Sequence, residues 1–182
     1  MKLDKNQLLP ESEISPRDTG MRYGVILALA GIIIQGIMHV MGSDPASGGG
    51  GLGCLSGIIS IAIIVMGIKT HRDNDLGGFI SLGRGLSVSF WMGLIYGIIS
   101  AIWTYVFINF IATDSMDAAK EALDQVRAQV EDEEVPEWVL TFTETMMSIG
   151  TNPIFQIVAG IIFTLVIGFF ASLFLKRDRP MV

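Results

Sequence analysis

The chain has 182 residues, 51% of them hydrophobic, with twelve basic residues against eighteen acidic and a single cysteine. A net charge of −6 speaks against nucleic acid as a partner, and the lone Cys54 excludes an intrachain disulfide. The apolar residues gather in four charge-free blocks, Tyr23–Met41, Leu52–Ile68, Leu86–Ile111 and Ile154–Leu175, which excludes an ordinary soluble bundle, whose helices keep a charged face.

Each block approaches or exceeds the roughly 20 residues that carry a helix across a ~30 Å hydrocarbon core. Barrel strands are shorter and alternate in polarity. The expected fold is therefore an all-α membrane protein with four transmembrane helices and an outer amphipathic helical hairpin between spans 3 and 4.

Residues 1–21 read as a polar cytoplasmic tail; Pro10 and Pro16 interrupt it and no signal-peptide core appears in it. Span 1 (about 23–41) then acts as an uncleaved signal anchor and ends near His39. The stretch "GSDPASGGGGLG" at 42–53 is glycine-rich. A phosphate loop would need Gly-Lys-Ser/Thr opening a helix, so this is a flexible turn.

Span 2 (about 52–68) leads into "KTHRDNDLGGFISLGRGL", 69–86. The Asp73–Asp75 and Gly77–Gly78 segments supply turn chemistry, and Phe79 and Ile80 are expected to dip into the membrane interface. Span 3 (about 86–111) carries a small residue at every fourth position: Gly85, Ser89, Gly93, Gly97 and Ala101. Trp91, Trp103 and Tyr105 read as interfacial aromatics.

Residues 112–152 form the acidic extracytoplasmic segment. Asp114 is a plausible N-cap, and Met116, Ala119, Leu123, Val126 and Val130 make one narrow helical stripe. After "EDEEV" and Pro136, the residues Trp138, Val139, Phe142, Met146 and Ile149 make a second. The hairpin that results caps the bundle, lies on the lipid surface or binds a partner. Span 4 (153–175) repeats the small-residue pattern with Gly160, Thr164, Gly168 and Ser172, and 176–182 is a basic cytoplasmic tail. Small residues at this spacing let backbones approach closely. Adjacent antiparallel connectivity pairs the stripe of span 3 with that of span 4, a dimer interface being the alternative; Gly20, Gly24 and Ala28 begin a shorter stripe on span 1.

Charge sets the expected orientation. Ten of the twelve basic residues lie in the two tails and the 69–86 link, where Lys69, Arg72, Arg84, Lys176, Arg177 and Arg179 anchor the topology. The outer segment holds the other two, Lys120 and Arg127, with ten acids. The positive-inside rule puts both termini in the cytoplasm.

Candidate chemistry is sparse. His39 and His71 belong to opposite ends of the bundle, and neither pairs with Cys54 at a metal-ligand spacing. The acids Glu131–Glu134 lack the ordered ligand spacing of a calcium loop, and no nucleophile–base pair can be named. No cofactor and no metal are expected, and no enzymatic site. The polar residues within the spans are Gln35, His39, Ser56, Ser60, Ser89, Ser100, Thr104, Asn109, Gln156 and Thr164. Of these, Gln35, His39, Asn109 and Gln156 are the candidate intramembrane polar site.

"RYG" at 22–24, "GGFISLGRGLSVSFWMGLIYGIISAIWTYVF" at 77–107 and the acidic segment ahead of span 4 together resemble domain of unknown function 4199, a family of four-span proteins of Bacteroidota. The resemblance runs from about residue 21 through nearly all of the chain. It implies the four-span fold and an inner-membrane location; it implies no activity. Two readings stand: a non-enzymatic accessory or scaffold protein of the envelope, or a small transport or lipid-handling module, dimeric in one version. A third, an enzyme on a lipid-linked substrate, would need the outer acids turned toward the membrane. The expected partners are the lipid bilayer and either a second copy or an unidentified membrane protein bound through the outer acidic hairpin.

Overall fold

The computed structural model describes residues 14–41, 50–113 and 152–177, with Glu121, Asp124, Trp138, Thr141 and Thr145 between the last two stretches. Four long helices make up the described fold: α1 Arg17–Val40, α2 Gly50–Thr70, α3 Leu82–Val106 and α4 Pro153–Leu175. Helices α2 and α3 each run on into one wider, π-helical turn, His71–Asp75 and Phe107–Ile111. All four helices are long and apolar enough to cross a membrane, and among the described residues no strand occurs beyond one isolated bridge. Large apolar side chains such as Ile33, Ile58, Ile102 and Phe174 point outward, the arrangement of a multi-pass membrane protein in which lipid replaces water as the outer contact.

Local chemistry accounts for the helix ends. The Ser81 hydroxyl accepts from the Arg84 backbone N–H at 3.4 Å and opens α3; the Asn152 side chain accepts from Ile154 N–H at 3.0 Å, with Pro153 at the first helical position. Both are standard N-terminal devices. Helix α1 starts at Arg17, inside the segment read as tail, and carries Asp18 in its first turn, where a carboxylate favours the helix dipole. The hairpin expected over 112–152 lies outside the described residues except at its ends, Ala112, Thr113 and Asn152, and at the five positions named above, which are helical.

The small-residue stripes of α3 and α4 meet in antiparallel register. A side-chain carbon built on Gly85 runs into Ser172, on Gly93 into Thr164, and on Gly168 into Ser89. At Gly97 it would stand 2.7 Å from the Ile157 Cα, and at Gly160 3.1 Å from the Gly97 Cα. Glycine on one helix thus accepts a hydroxyl or another glycine from its neighbour, step after step of four. Thr164 Oγ1 donates across this seam to the Ser89 carbonyl at 3.0 Å, sharing the proton with its own Gly160 carbonyl at 3.0 Å. Ala101, last of the α3 stripe, is buried as well. In a bilayer, where burial from water adds nothing between spans, such close backbone approach holds helices by dispersion and interhelical hydrogen bonds.

Helix α1 packs on the neighbouring face of α3. Gly20 lies against Trp91 and the Val88 carbonyl, Gly24 against the Met92 carbonyl and Ile95. The core that results is one-sided. Leu27, Ile64, Ile68, Leu76, Ile80, Val88 and Met92 form it, all in the half of the bundle that holds the α2–α3 turn. From Leu29 to Met41 on α1, and from Gly53 to Ala62 on α2, no residue is buried.

The α2–α3 turn is part of that core. Gly77 and Gly78 adopt φ of 65° and 95°, a region side chains avoid, and the Gly78 N–H closes back on the Arg72 carbonyl at 2.7 Å. Ile80 does not dip into the membrane interface. It is 1% exposed, and it exchanges two backbone hydrogen bonds with Arg177, at 3.1 and 3.2 Å. That exchange, with Arg72 reaching the Leu175 carbonyl and Thr19 reaching Asp75, gathers both ends of the described chain and the 69–86 link at one end of the bundle. Lys69, Arg72, Arg84, Lys176 and Arg177 therefore share one end; Arg179 lies outside the described residues.

Candidate functional site

Where α1 and α2 cease to bury residues, the four helices enclose a partly open cavity of about 520 Å³. Every helix contributes a polar group to it: Gln35 from α1, Ser56 and Ser60 from α2, Tyr96, Ser100, Trp103 and Thr104 from α3, and Gln156 from α4. Apolar side chains complete the wall, Ile32 and Phe163 among them. Gly31 and Gly57 also line it, and a Cβ on either would meet no atom within 4 Å. Those two glycines face open space, unlike the glycines of the seam.

No Asp, Glu, Lys, Arg or His lines the cavity among the described residues. Its chemistry is that of hydroxyls, amides and an indole. The Trp103 Nε1–H donates to Gln35 Oε1 at 2.8 Å, tying α3 to α1 across the wall. Ser60 returns its hydroxyl to the Ser56 carbonyl at 2.8 Å. A polar wall at this depth is unusual, because uncompensated polar groups between apolar spans are costly. The hydroxyls and amides here can donate and accept, and the volume falls within the range of small-ligand pockets. The residues suit an uncharged polar group with an apolar remainder. No group of three or more potential metal ligands occurs among the described residues.

Of the four residues proposed as an intramembrane polar site, the structure brings Gln35 and Gln156 to the cavity and leaves the other two out. His39 stacks edge-on against Phe107 at 5.1 Å between centroids. Asn109 lies in the π-helical turn and donates to the Tyr105 carbonyl of its own helix at 2.8 Å. Trp103, read as an interfacial aromatic, points inward. Tyr96 was missed altogether. Its signal is position: a tyrosine in mid-span is too far from either interface to hold its hydroxyl there, so it needs a polar partner inside.

The fold, the seam and the cavity belong to nearly all of the chain, and so does its family match: the family described as "Protein of unknown function (DUF4199)" matches residues 22–177. The chain belongs to DUF4199. No curated protein and no solved structure matches it. The matched residues of this DUF4199 protein begin within α1 and end at Arg177, so they include all eight polar cavity residues and both halves of the α3–α4 seam.

Proposed function

We propose that this DUF4199 protein is a non-enzymatic membrane module that binds a neutral amphiphile, a lipid or lipid-like molecule whose uncharged polar part sits in the four-helix cavity. The observation that carries the reading is the cavity wall itself, to which each helix brings uncharged hydrogen-bonding groups in the half of the bundle away from the basic end. The scaffold role rests on the absence of recognisable chemistry, the helix-packing faces and the acidic segment 112–152; the cavity favours the binding module over it. The segregation of basic residues to one end supports an inner-membrane protein with both termini in the cytoplasm.

Gly31→Phe and Gly57→Leu test the binding reading, since both positions line the cavity and a Cβ at either meets no atom within 4 Å. The full chain is purified in a mild detergent and its bound lipid is extracted and identified by mass spectrometry. A neutral amphiphile is expected near one per chain in the wild type and strongly depleted in both variants. Equal lipid content in all three proteins sinks the proposal. Cys54, exposed at the start of α2 and the sole cysteine, tests orientation. A membrane-impermeant maleimide is expected to label it from outside intact inner-membrane vesicles of right-side-out polarity; labelling only after inversion puts the basic end outside.

A further inference from the structure

A second, chemically different cleft lies at the basic end, where Ile14, Ser15, Asp18, Thr19 and Arg22 of the α1 start face Asp75 of the π-helical turn around about 310 Å³. Asp75 is held in place: its Oδ2 accepts from Thr19 Oγ1 at 2.8 Å and meets His71 Nδ1 at 2.7 Å. Its other oxygen has no hydrogen bond among the described residues. Asp18 and Arg22 stand four apart on α1 with the acid first, the arrangement in which opposite charges normally pair. They form no ion pair among the described residues, although both line the cleft. The cleft thus offers two carboxylates and one guanidinium with capacity to spare, floored by Ile14, which packs against the core.

Position narrows the ligand. Asp18 and Arg22 precede the charge-free run that begins at Tyr23, so the cleft marks the level at which the apolar span begins and headgroups are found. A ligand that satisfies it carries a cation with N–H donors and, a few ångströms away, an anion. An ammonium supplies three donors for carboxylates, and a guanidinium binds phosphate oxygens in a planar fork. We infer that this cleft binds a phosphoethanolamine group, its ammonium on Asp18 and the free oxygen of Asp75 and its phosphate on Arg22. A choline headgroup has no N–H to donate. A purely anionic headgroup meets Arg22 but is repelled by two carboxylates.

The test uses the full-length protein in detergent, titrated with defined phospholipids and read by native mass spectrometry. At equal mole fraction, phosphatidylethanolamine is expected to be retained about fivefold over phosphatidylcholine, the worth of one exposed charge-assisted contact, and over phosphatidylglycerol as well. Asp18→Asn removes that preference and lifts phosphatidylglycerol. Arg22→Gln weakens all three phospholipids together. Both side chains are exposed, so the fold is expected to survive, and thermal melts in the same detergent check it. Soluble O-phosphoethanolamine added in excess separates the two sources of the group: displacement of the lipid means that the headgroup alone is recognised, and failure to displace means that the acyl chains are needed. Equal retention of the three phospholipids by the wild type overturns the inference, as does a preference that survives Asp18→Asn. Neither result bears on the four-helix cavity, whose test reads neutral amphiphiles in other variants.

Discussion

The seam between α3 and α4 and the cavity beside it are built from the same residue types and do opposite things. In the seam, Gly93 and Gly97 bring α4 backbone to within 2.7 Å of where a side-chain carbon would stand, and nothing else fits. In the cavity, Gly31 and Gly57 have no neighbour within 4 Å of that point. Ser89 and Thr164 are buried in the seam, with their hydroxyls bonded to backbone carbonyls. Ser100 and Thr104 line open space. A small residue in a membrane helix is therefore a contact or a vacancy according to how close the next helix stands. That is decided by α1 and α2, which bury residues at the basic end and none at the other.

Substitutions can break or sharpen this contrast. Gly97→Leu is expected to have the largest effect, since its branch must push the α4 backbone aside; overpacking of this kind costs about 3 kcal/mol, and the loss appears as a fall in folded yield and melting temperature. Gln35→Leu removes the acceptor for the Trp103 indole and should cost about 0.6–2 kcal/mol, seen by denaturation in mixed micelles together with a change in tryptophan fluorescence. Thr164→Val keeps the shape of the seam and removes its cross-helix donor. Because that proton is already shared with α4's own carbonyl, the expected cost is smaller, about 0.6 kcal/mol. Gly57→Leu should move stability least, within about 0.5 kcal/mol, while depleting bound amphiphile. If Gly57→Leu destabilises as much as Gly97→Leu, the two kinds of glycine are one kind and the cavity is not open.

The four spans were legible in the sequence because membrane crossing is written in composition, as blocks without charge. The seam was legible too, because Gly85, Ser89, Gly93 and Gly97 put small side chains on one helical face, as do Gly160, Thr164, Gly168 and Ser172. The cavity was not. Gly31 and Gly57 look like seam glycines in a one-dimensional pattern, and only the separation of two helices far apart in sequence distinguishes them. Asn109 was assigned by depth alone, but the π-helical turn from Phe107 to Ile111 adds a residue to the last turn and shifts the face on which it emerges. The burial of Ile80 was hidden for a related reason: its partner Arg177 is nearly a hundred residues away and pairs through backbone atoms, which carry no side-chain signature.

The paired backbones of Ile80 and Arg177 also set an order of events during synthesis. Everything α3 needs from α4 arrives last, after the whole 112–152 segment has been made. From Val106 to Arg177 the ribosome works for roughly 4–14 s at ~5–20 residues per second. Throughout that interval the glycine face of α3 is in contact with lipid or with an insertion partner. The C-terminal turn of α4 is then the closing step of assembly, since Arg177 pairs with Ile80 immediately beyond the end of that helix. A chain stopped before Pro153 would retain three spans with their strongest packing surface unmatched, the kind of half-built bundle that membrane quality control is placed to find.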